Sequence, residues 1–427
     1  MFRTLINAWK VTDLRKKILF TLIIAVLYRL GCQIPVPFVS SDVLRTLIDT
    51  YSGSMFGYLN ILSGQAFSQA TLFALGVSPY ITAQIVMQLL AIAIPALEKL
   101  SKDGEEGRKK IDKITRIVTV VLSLVTAYGY YSYLRANGAL IDTGVFAGVV
   151  IVASYCGGAA LVMWLADKVD DYGIGNGISI ILFVNILSSG WSMAQKIYAQ
   201  FVQGGWNILF AILSIIMMIA IITFVVFITN SERRIPVQYA KRVVGRKMYG
   251  GQASNLPLKL NMSGVMPIIF ASSIVSIPAT LAIFWPPKEG SFWDGFVNLF
   301  QTSSPLYLVI YIVLIFLFSY FYISISFDTV EVSNNLQRDG GFIPGIRPGR
   351  PTSDYIKRVL NRITLIGAIF LAIVAGIPLL VNMVAANQFG MLAFGGSSLL
   401  IVVSVALETA RELESQLAMR HYKGFLE

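Results

Sequence analysis

Charge is what this chain has least of. Only 13% of its 427 residues are Asp, Glu, Lys or Arg, against about 25% in an ordinary soluble domain. Hydrophobic residues make up 56%, and the mean hydropathy is +0.69. These values exclude a water-soluble globular fold and identify an all-α polytopic membrane protein. Histidine occurs once, at His421, and cysteine twice, at Cys32 and Cys156, each inside an apolar run. That placement speaks against a disulfide framework, and no metal-ligand spacing is present.

Catalytic chemistry is equally scarce. No Ser or Cys has a His base nearby, so nucleophilic catalysis has no support. No G-x-x-x-x-G-K-[ST] loop occurs, so nucleotide hydrolysis is not expected of this chain. Gly173-Ile174-Gly175-Asn176-Gly177 is superficially like a dinucleotide-binding turn, but it opens an apolar span instead of following a strand. The expectation is therefore no catalytic residue, no metal and no cofactor. Ion-coupled carriers keep an acid or a Lys deep in a span at a cost of about 3 kcal/mol. Here Arg29 lies within an apolar run, while Asp328 and Glu408 sit near the ends of theirs.

What is present is a series of ten apolar runs. They cover roughly residues 18–37, 71–94, 114–134, 145–166, 177–191, 206–229, 262–285, 305–327, 362–381 and 397–410. Lys10, Arg15, Lys16 and Lys17 before the first run resemble the start of a signal peptide. The run lacks a small-residue cleavage site and reads as a retained span. Phe2, Leu5, Ile6 and Trp9 recur at helical spacing, as in a short helix on the membrane surface. Of 34 Lys and Arg residues, 29 fall on the side of the two termini. Arg45, Arg135, Lys196 and Lys288 lie opposite, so the termini are expected in the cytoplasm. Five spans per half requires the halves, residues 1–205 and 206–427, to run in opposite directions, and inverted halves commonly enclose a path at their interface.

The stretch from Tyr58 to Leu90 breaks the pattern. Tyr58 to Ala70 spans at most about 20 Å as helix, against a hydrocarbon core of about 30 Å. It carries Asn60, Ser63, Gly64, Gln65, Ser68 and Gln69, too polar to face lipid. Thr71 to Ala93 is long enough to span. An external loop or a re-entrant element, a movable stopper surrounded by protein, both fit.

Two loops on the basic side, 230–261 and 328–361, are longer than topology requires. Ile235, Val237 and Tyr239 alternate with polar residues or Pro236, and Leu256, Leu258 and Leu260 do so around Pro257. This predicts a β-hairpin with the prolines at edge positions. Lys241, Arg242, Arg246 and Lys247 lie between the strands, and Pro-Gly pairs in the second loop push Arg347 and Arg350 outward. Acidic protein or RNA phosphate would suit that surface. Within the spans, Val77 and Ile81, Ile178 and Leu182, Ile269 and Ile401 read by default as packing residues. Thr82, Gln88, Ser272 and Ser273 could hydrogen-bond between helices, at about 1 kcal/mol or less each.

Residues FALGVSPYITAQIVMQLL, DGEEGRKKI, GIGNGISIILF, RRIPVQYAKR, LPLKLNMSGVMPIIFASSI, GFIPGIRPGRPT and GGSSLLIVV are similar to stretches of the SecY family, in order and across residues 10 to 425. The resemblance implies ten transmembrane helices in two five-helix halves, a clamshell around an hourglass pore. It implies a pore ring of Val77, Ile81, Ile178, Leu182, Ile269 and Ile401, with Val77 and Leu182 standing where Ile is more usual. A re-entrant plug at about 55–70 would include Asn60, Ile61, Leu62, Ser63, Gly64, Gln65 and Ala66, and Gly57 and Gly64 would each weaken its helix by about 1 kcal/mol. Spans two and seven would form a lateral gate carrying Thr82, Gln88, Ser272 and Ser273. Lys241, Arg242, Arg246, Arg347 and Arg350 would dock a SecA motor ATPase or the ribosome. SecE-like and SecG-like small subunits, signal-bearing polypeptides and anionic lipids complete the implied partners, in a bacterial cytoplasmic (inner) membrane. A small-solute secondary transporter and an intramembrane enzyme are the other classes weighed.

Overall fold

A computed structural model describes residues 2–50, 60, 63–203, 206–239, 242–244, 247–249, 253–284, 290–301, 304–384 and 392–423. The first half comprises α1 (Phe2–Lys10), α2 (Thr12–Gly31), α3 (Ser41–Thr50), α4 (Ser78–Ala93), α5 (Pro95–Lys102), α6 (Gly104–Ala136), α7 (Val145–Tyr172) and α8 (Gly177–Gln203). The second contains α9 (Trp206–Asn230), strands β1 (Glu232–Tyr239), β2 (Arg242–Val244), β3 (Lys247–Tyr249) and β4 (Ala253–Lys259), then α10 (Met266–Phe284), α11 (Phe292–Leu299), α12 (Pro305–Ser326), α13 (Thr329–Arg338), β5 (Gly341–Phe342), α14 (Arg350–Val384) and α15 (Leu392–Lys423).

Each of the ten expected spans coincides with one of the longer helices. Among the described residues, five helices are long and apolar enough to cross a bilayer alone, and α4 with α5 makes a sixth if that pair, bent by 106°, is one span. Shorter apolar stretches occur at Gly177–Trp191 in α8 and Met266–Pro278 in α10. Leu22, Ile23 and Val26 on α2, Val121 on α6 and Phe227 on α9 are exposed, the outward apolar face that lipid contact requires.

Hydropathy misplaces several helix ends. The first apolar run was expected to extend to residue 37, yet α2 stops at Gly31. Pro35 and Pro37 disfavour helical geometry at the residues before them, so the chain leaves the helix while still apolar. The second run was expected to be helical from Thr71, but α4 begins at Ser78, with Pro79 in its first turn. Helix α8 runs to Gln203, beyond its apolar stretch. In α1, Ala8 is buried against Leu14, Ile174 and Leu413, while Ile6 and Trp9 stay exposed.

Within the first half, α6 packs on α4 and α7, and α2 packs on α7. Within the second, α12 packs on α10 and α14, and α15 packs on α14 and α9. The halves meet on two sides. On one, α8 lies against α9 and α15; on the other, α10 lies against α4 and α6. One large apolar cluster fills the space between, reaching from Ile24 on α2 to Val405 on α15.

The two long basic loops fold together, which reading them separately did not reveal. Strands β4, β1 and β5 form an antiparallel sheet in that order. Ile235 pairs with Leu256, and the expected alternation holds: Ile235, Val237 and Leu258 are buried between exposed neighbours. Pro257 lies on edge strand β4. Pro236 lies on central strand β1, paired with Asn255 of β4, where β5, which reaches only Gln238 and Tyr239, leaves the other side of the strand open. The sheet shares a small core with Ile343, from the second loop, and with Ile356 and Ile363 of α14. Asp328 caps α13, its carboxylate accepting from the backbone N–H groups of Val330 and Glu331.

Candidate functional site

The six aliphatic residues singled out in the spans all lie in one buried apolar cluster. Val77 caps the start of α4 and Ile81 lies one turn on; Ile178 and Leu182 occupy the first turns of α8; Ile269 sits on α10 and Ile401 on α15. All six are between 1% and 8% exposed, and all belong to the same apolar cluster. The six come from two helices of each half, α4 and α8, α10 and α15. None of the six side chains can hydrogen-bond to water, so a small space closed by them stays dry.

Residues 63–77 complete the cluster from one side. Sequence reasoning expected a weak helix here, yet the segment is a chain of turns. Gly64, Gln65 and Ala70 have φ of 64°, 71° and 47°, the left-handed region in which a regular helix cannot propagate. The polar residues that kept this stretch out of lipid satisfy its backbone. The Ser63 hydroxyl accepts from the Phe67 N–H at 3.1 Å, the Asn60 side-chain Oδ1 from the Ser68 N–H at 3.0 Å, and the Thr71 hydroxyl donates to the Ala66 carbonyl at 3.2 Å.

This segment divides between two cores. Ala66 and Phe73 join the central cluster, while Phe67, Ala70 and Ala74 pack with Val36, Tyr130, Ile151 and Tyr155 in a second one. Backbone bonds tie Val36 to Ala70 and Leu72 to Ile34. From α6, the Tyr130 hydroxyl donates to the Phe67 carbonyl at 2.7 Å. From α7, Gly158 lets the Leu72 carbonyl come so close that any Cβ would overlap it. From α2, Tyr28 stacks on Phe73 at 5.4 Å, and the Arg29 Nη1 donates to the Gly64 carbonyl at 3.2 Å. The Tyr28 hydroxyl accepts from Asn185 on α8 at 2.8 Å. Tyr28, Tyr130 and Gly158 had no period or motif to mark them; only tertiary contact does. Ile61 and Leu62, expected in the same element, lie outside the described residues.

The seam between α4 and α10 is stitched less than expected. The Thr82 hydroxyl donates back to the Ser78 carbonyl at 3.0 Å and Ser272 to the Ile269 carbonyl at 2.9 Å, each on its own helix. The Ser273 carbonyl accepts from the Ser276 hydroxyl, also within α10. A helical hydroxyl reaches the carbonyl one turn back without crossing a gap, and that geometry prevails here. The Gln88 Oε1 is buried with no partner among the described residues.

On the sheet side, Arg347 and Arg350 are exposed beside the small core. Arg242 begins β2. Lys241 and Arg246 lie outside the described residues.

A family model described as SecY matches residues 71–410. The chain is 43% identical over 442 residues to the protein translocase subunit SecY of Streptomyces scabiei, covering 100% of both chains. Among solved structures, one describing the plug domain of the SecY protein, which stabilises the closed state of that translocation channel and maintains a membrane seal, has TM-score 0.69 at 20% identity, over 94% of this chain and 92% of that one. Sec61 in the canine ribosome–channel complex from the endoplasmic reticulum has TM-score 0.64 at 18% identity, again over 94% and 92%. At those identities the two structures establish likeness of fold.

Proposed function

Since the chain belongs to the SecY family of protein translocase subunits, we propose that it forms a channel for unfolded polypeptides and serves as a conduit, not a catalyst. The observation that carries this reading is that Val77, Ile81, Ile178, Leu182, Ile269 and Ile401, from two helices of each half, are all buried in one apolar cluster together with Ala66 and Phe73. In this reading the six side chains are the constriction, and flexible aliphatics seal around a passing chain as they seal against each other. The segment at about 55–70, with Asn60, Ile61, Leu62, Ser63, Gly64, Gln65 and Ala66, is the plug that fills the pore at rest.

Opening parts the halves where α10 meets α4 and α6. Thr82, Gln88, Ser272 and Ser273 line that seam, and hydroxyls bonded within their own helices leave little to break when it separates. Apolar segments and signal sequences then leave sideways into lipid. Lys241, Arg242, Arg246, Arg347 and Arg350 present the docking face to a SecA-type motor or to the ribosome, which supplies the work. Small SecE-like and SecG-like subunits clasp the halves, residues 1–205 and 206–427, and anionic lipids contact the basic flank. The chain is a multi-pass membrane protein; we place it in a bacterial cytoplasmic membrane with both termini inside. The small-solute transporter weighed from topology gives way to the family assignment.

The test puts a photocrosslinker at Ile178 and stalls a signal-bearing polypeptide during translocation. We expect an adduct that depends on the signal sequence. No adduct at Ile178, Ile81 or Ile269, with insertion confirmed and active crosslinkers, refutes the pore assignment.

A further inference from the structure

Arg29 has no place in the reading above, and an arginine within an apolar run requires a reason, since a charge at bilayer depth is expensive and ordinarily functional. It lies in the last turn of α2, half-buried, and its side chain makes one hydrogen bond among the described residues, to the Gly64 carbonyl at 3.2 Å. That acceptor is aimed by the backbone. Gly64 and Gln65 are consecutive left-handed residues, and a Cβ built at Gly64 would lie 2.6 Å from the Arg29 Nη1 and 2.8 Å from the Asn185 Oδ1. Only glycine fits there, for its φ and for the close approach of the guanidinium. The preceding residue, Tyr28, stacks on Phe73 and accepts from Asn185. Adjacent residues of α2 thus hold residues 63–77 at two points nine residues apart, with α8 as the third wall.

We infer that Arg29 is the clamp that positions the plug segment over the constriction, and that opening the channel requires the Arg29–Gly64 bond to break. The bond joins a full positive charge to a carbonyl in a partly desolvated site, where charge-assisted bonds are at their strongest. A lysine keeps the charge but not the planar fork that matches the carbonyl's direction. Glutamine keeps a donor without charge. The order of holding is therefore Arg, then Lys, then Gln, then Ala. This inference rests on the channel reading, and its test separates the two.

The experiment places the single substitution Ser68→Cys in a chain whose Cys32 and Cys156 are replaced by Ala. Ser68 is buried in the plug segment. The full chain, in native membrane vesicles with its partners, is treated with a membrane-impermeant maleimide from the side opposite the termini. Arg29→Lys, Arg29→Gln and Arg29→Ala are compared with the parent, and Ile178→Asn is run alongside for resting ion leak. We expect labelling of the cysteine to rise about tenfold or more for Gln and Ala and less for Lys, the range that loss of one charged hydrogen bond produces. Unchanged labelling in all three variants, with a leaking Ile178→Asn channel, overturns the clamp and leaves the channel reading standing. Unchanged labelling together with a tight Ile178→Asn channel overturns both. If Arg29→Ala fails to assemble, the Lys and Gln variants decide the question by their order.

Discussion

Replacing Ile178 by Asn is the sharpest perturbation of the closed state. Ile178 is 6% exposed in the central cluster. Removing a buried isoleucine forfeits about 1.5–3 kcal/mol of apolar burial. Enclosing an amide without partners costs about 1–3 kcal/mol more. In the channel reading a closed constriction is therefore weakened by about 2.5–6 kcal/mol, whereas a wetted one can hydrate the new side chain. At about 1.4 kcal/mol per decade, resting ion conductance should rise by about two decades or more. Ile178→Val is the matched control, since it removes one methylene at about 1 kcal/mol and should raise conductance less than tenfold. The assay is ion flux through vesicles holding the full complex, with no polypeptide in transit. Equal conductance in the Asn and Val variants would refute the argument, because the polar penalty that distinguishes them would then be acting elsewhere.

Three further substitutions address other parts of the molecule. Gly158→Ala should push Leu72 and its flanking turns away from α7, costing about 1–3 kcal/mol as overpacking does, and should lower the thermal midpoint of the assembled complex; an unshifted midpoint contradicts the close approach. Tyr130→Phe should remove one buried bond to the Phe67 carbonyl, worth about 1 kcal/mol, and speed hydrogen exchange of residues 63–74; unaltered exchange would mean the hydroxyl does not hold that segment. Arg347→Glu should block motor-driven export while assembly, followed by native gel, stays intact; normal export rates would remove this arginine from the docking face.

Much of this architecture is readable from local pattern. Apolar runs located every long helix, because burial in lipid imposes its length on the sequence. The alternation around Ile235 and Leu258 located the hairpin, because a half-buried strand must repeat every two residues. What escaped depends on contacts far apart in the chain. Nothing near Ile343 or Ile356 says that they complete the core beneath Val237, and the two loops therefore read as separate appendages. The turns through Gln65 and Ala70 adopt a backbone region that their residue types rarely occupy, so propensity pointed to a weak helix. The six aliphatic residues proposed as the constriction were legible as candidates only through resemblance, since aliphatic spacing of four is what any packed helix shows.

Helix α14 carries one last consequence. It runs from Arg350 to Val384, about 50 Å at 1.5 Å per residue, with Pro378 near its C-terminal end, past Val374. Ile356 and Ile363 sit in the core of the sheet unit, and Phe370, Leu371 and Val374 sit in the central cluster. Both cores thus grip a single stiff rod. Ile363 and Val374 are 11 residues apart, about 16 Å of helix, so a rotation of about 5° delivered to the sheet unit shifts the central-cluster residues by about 1 Å. In the channel reading proposed above, a force applied to the basic surface would reach the central cluster through this helix without any chemical signal passing between them.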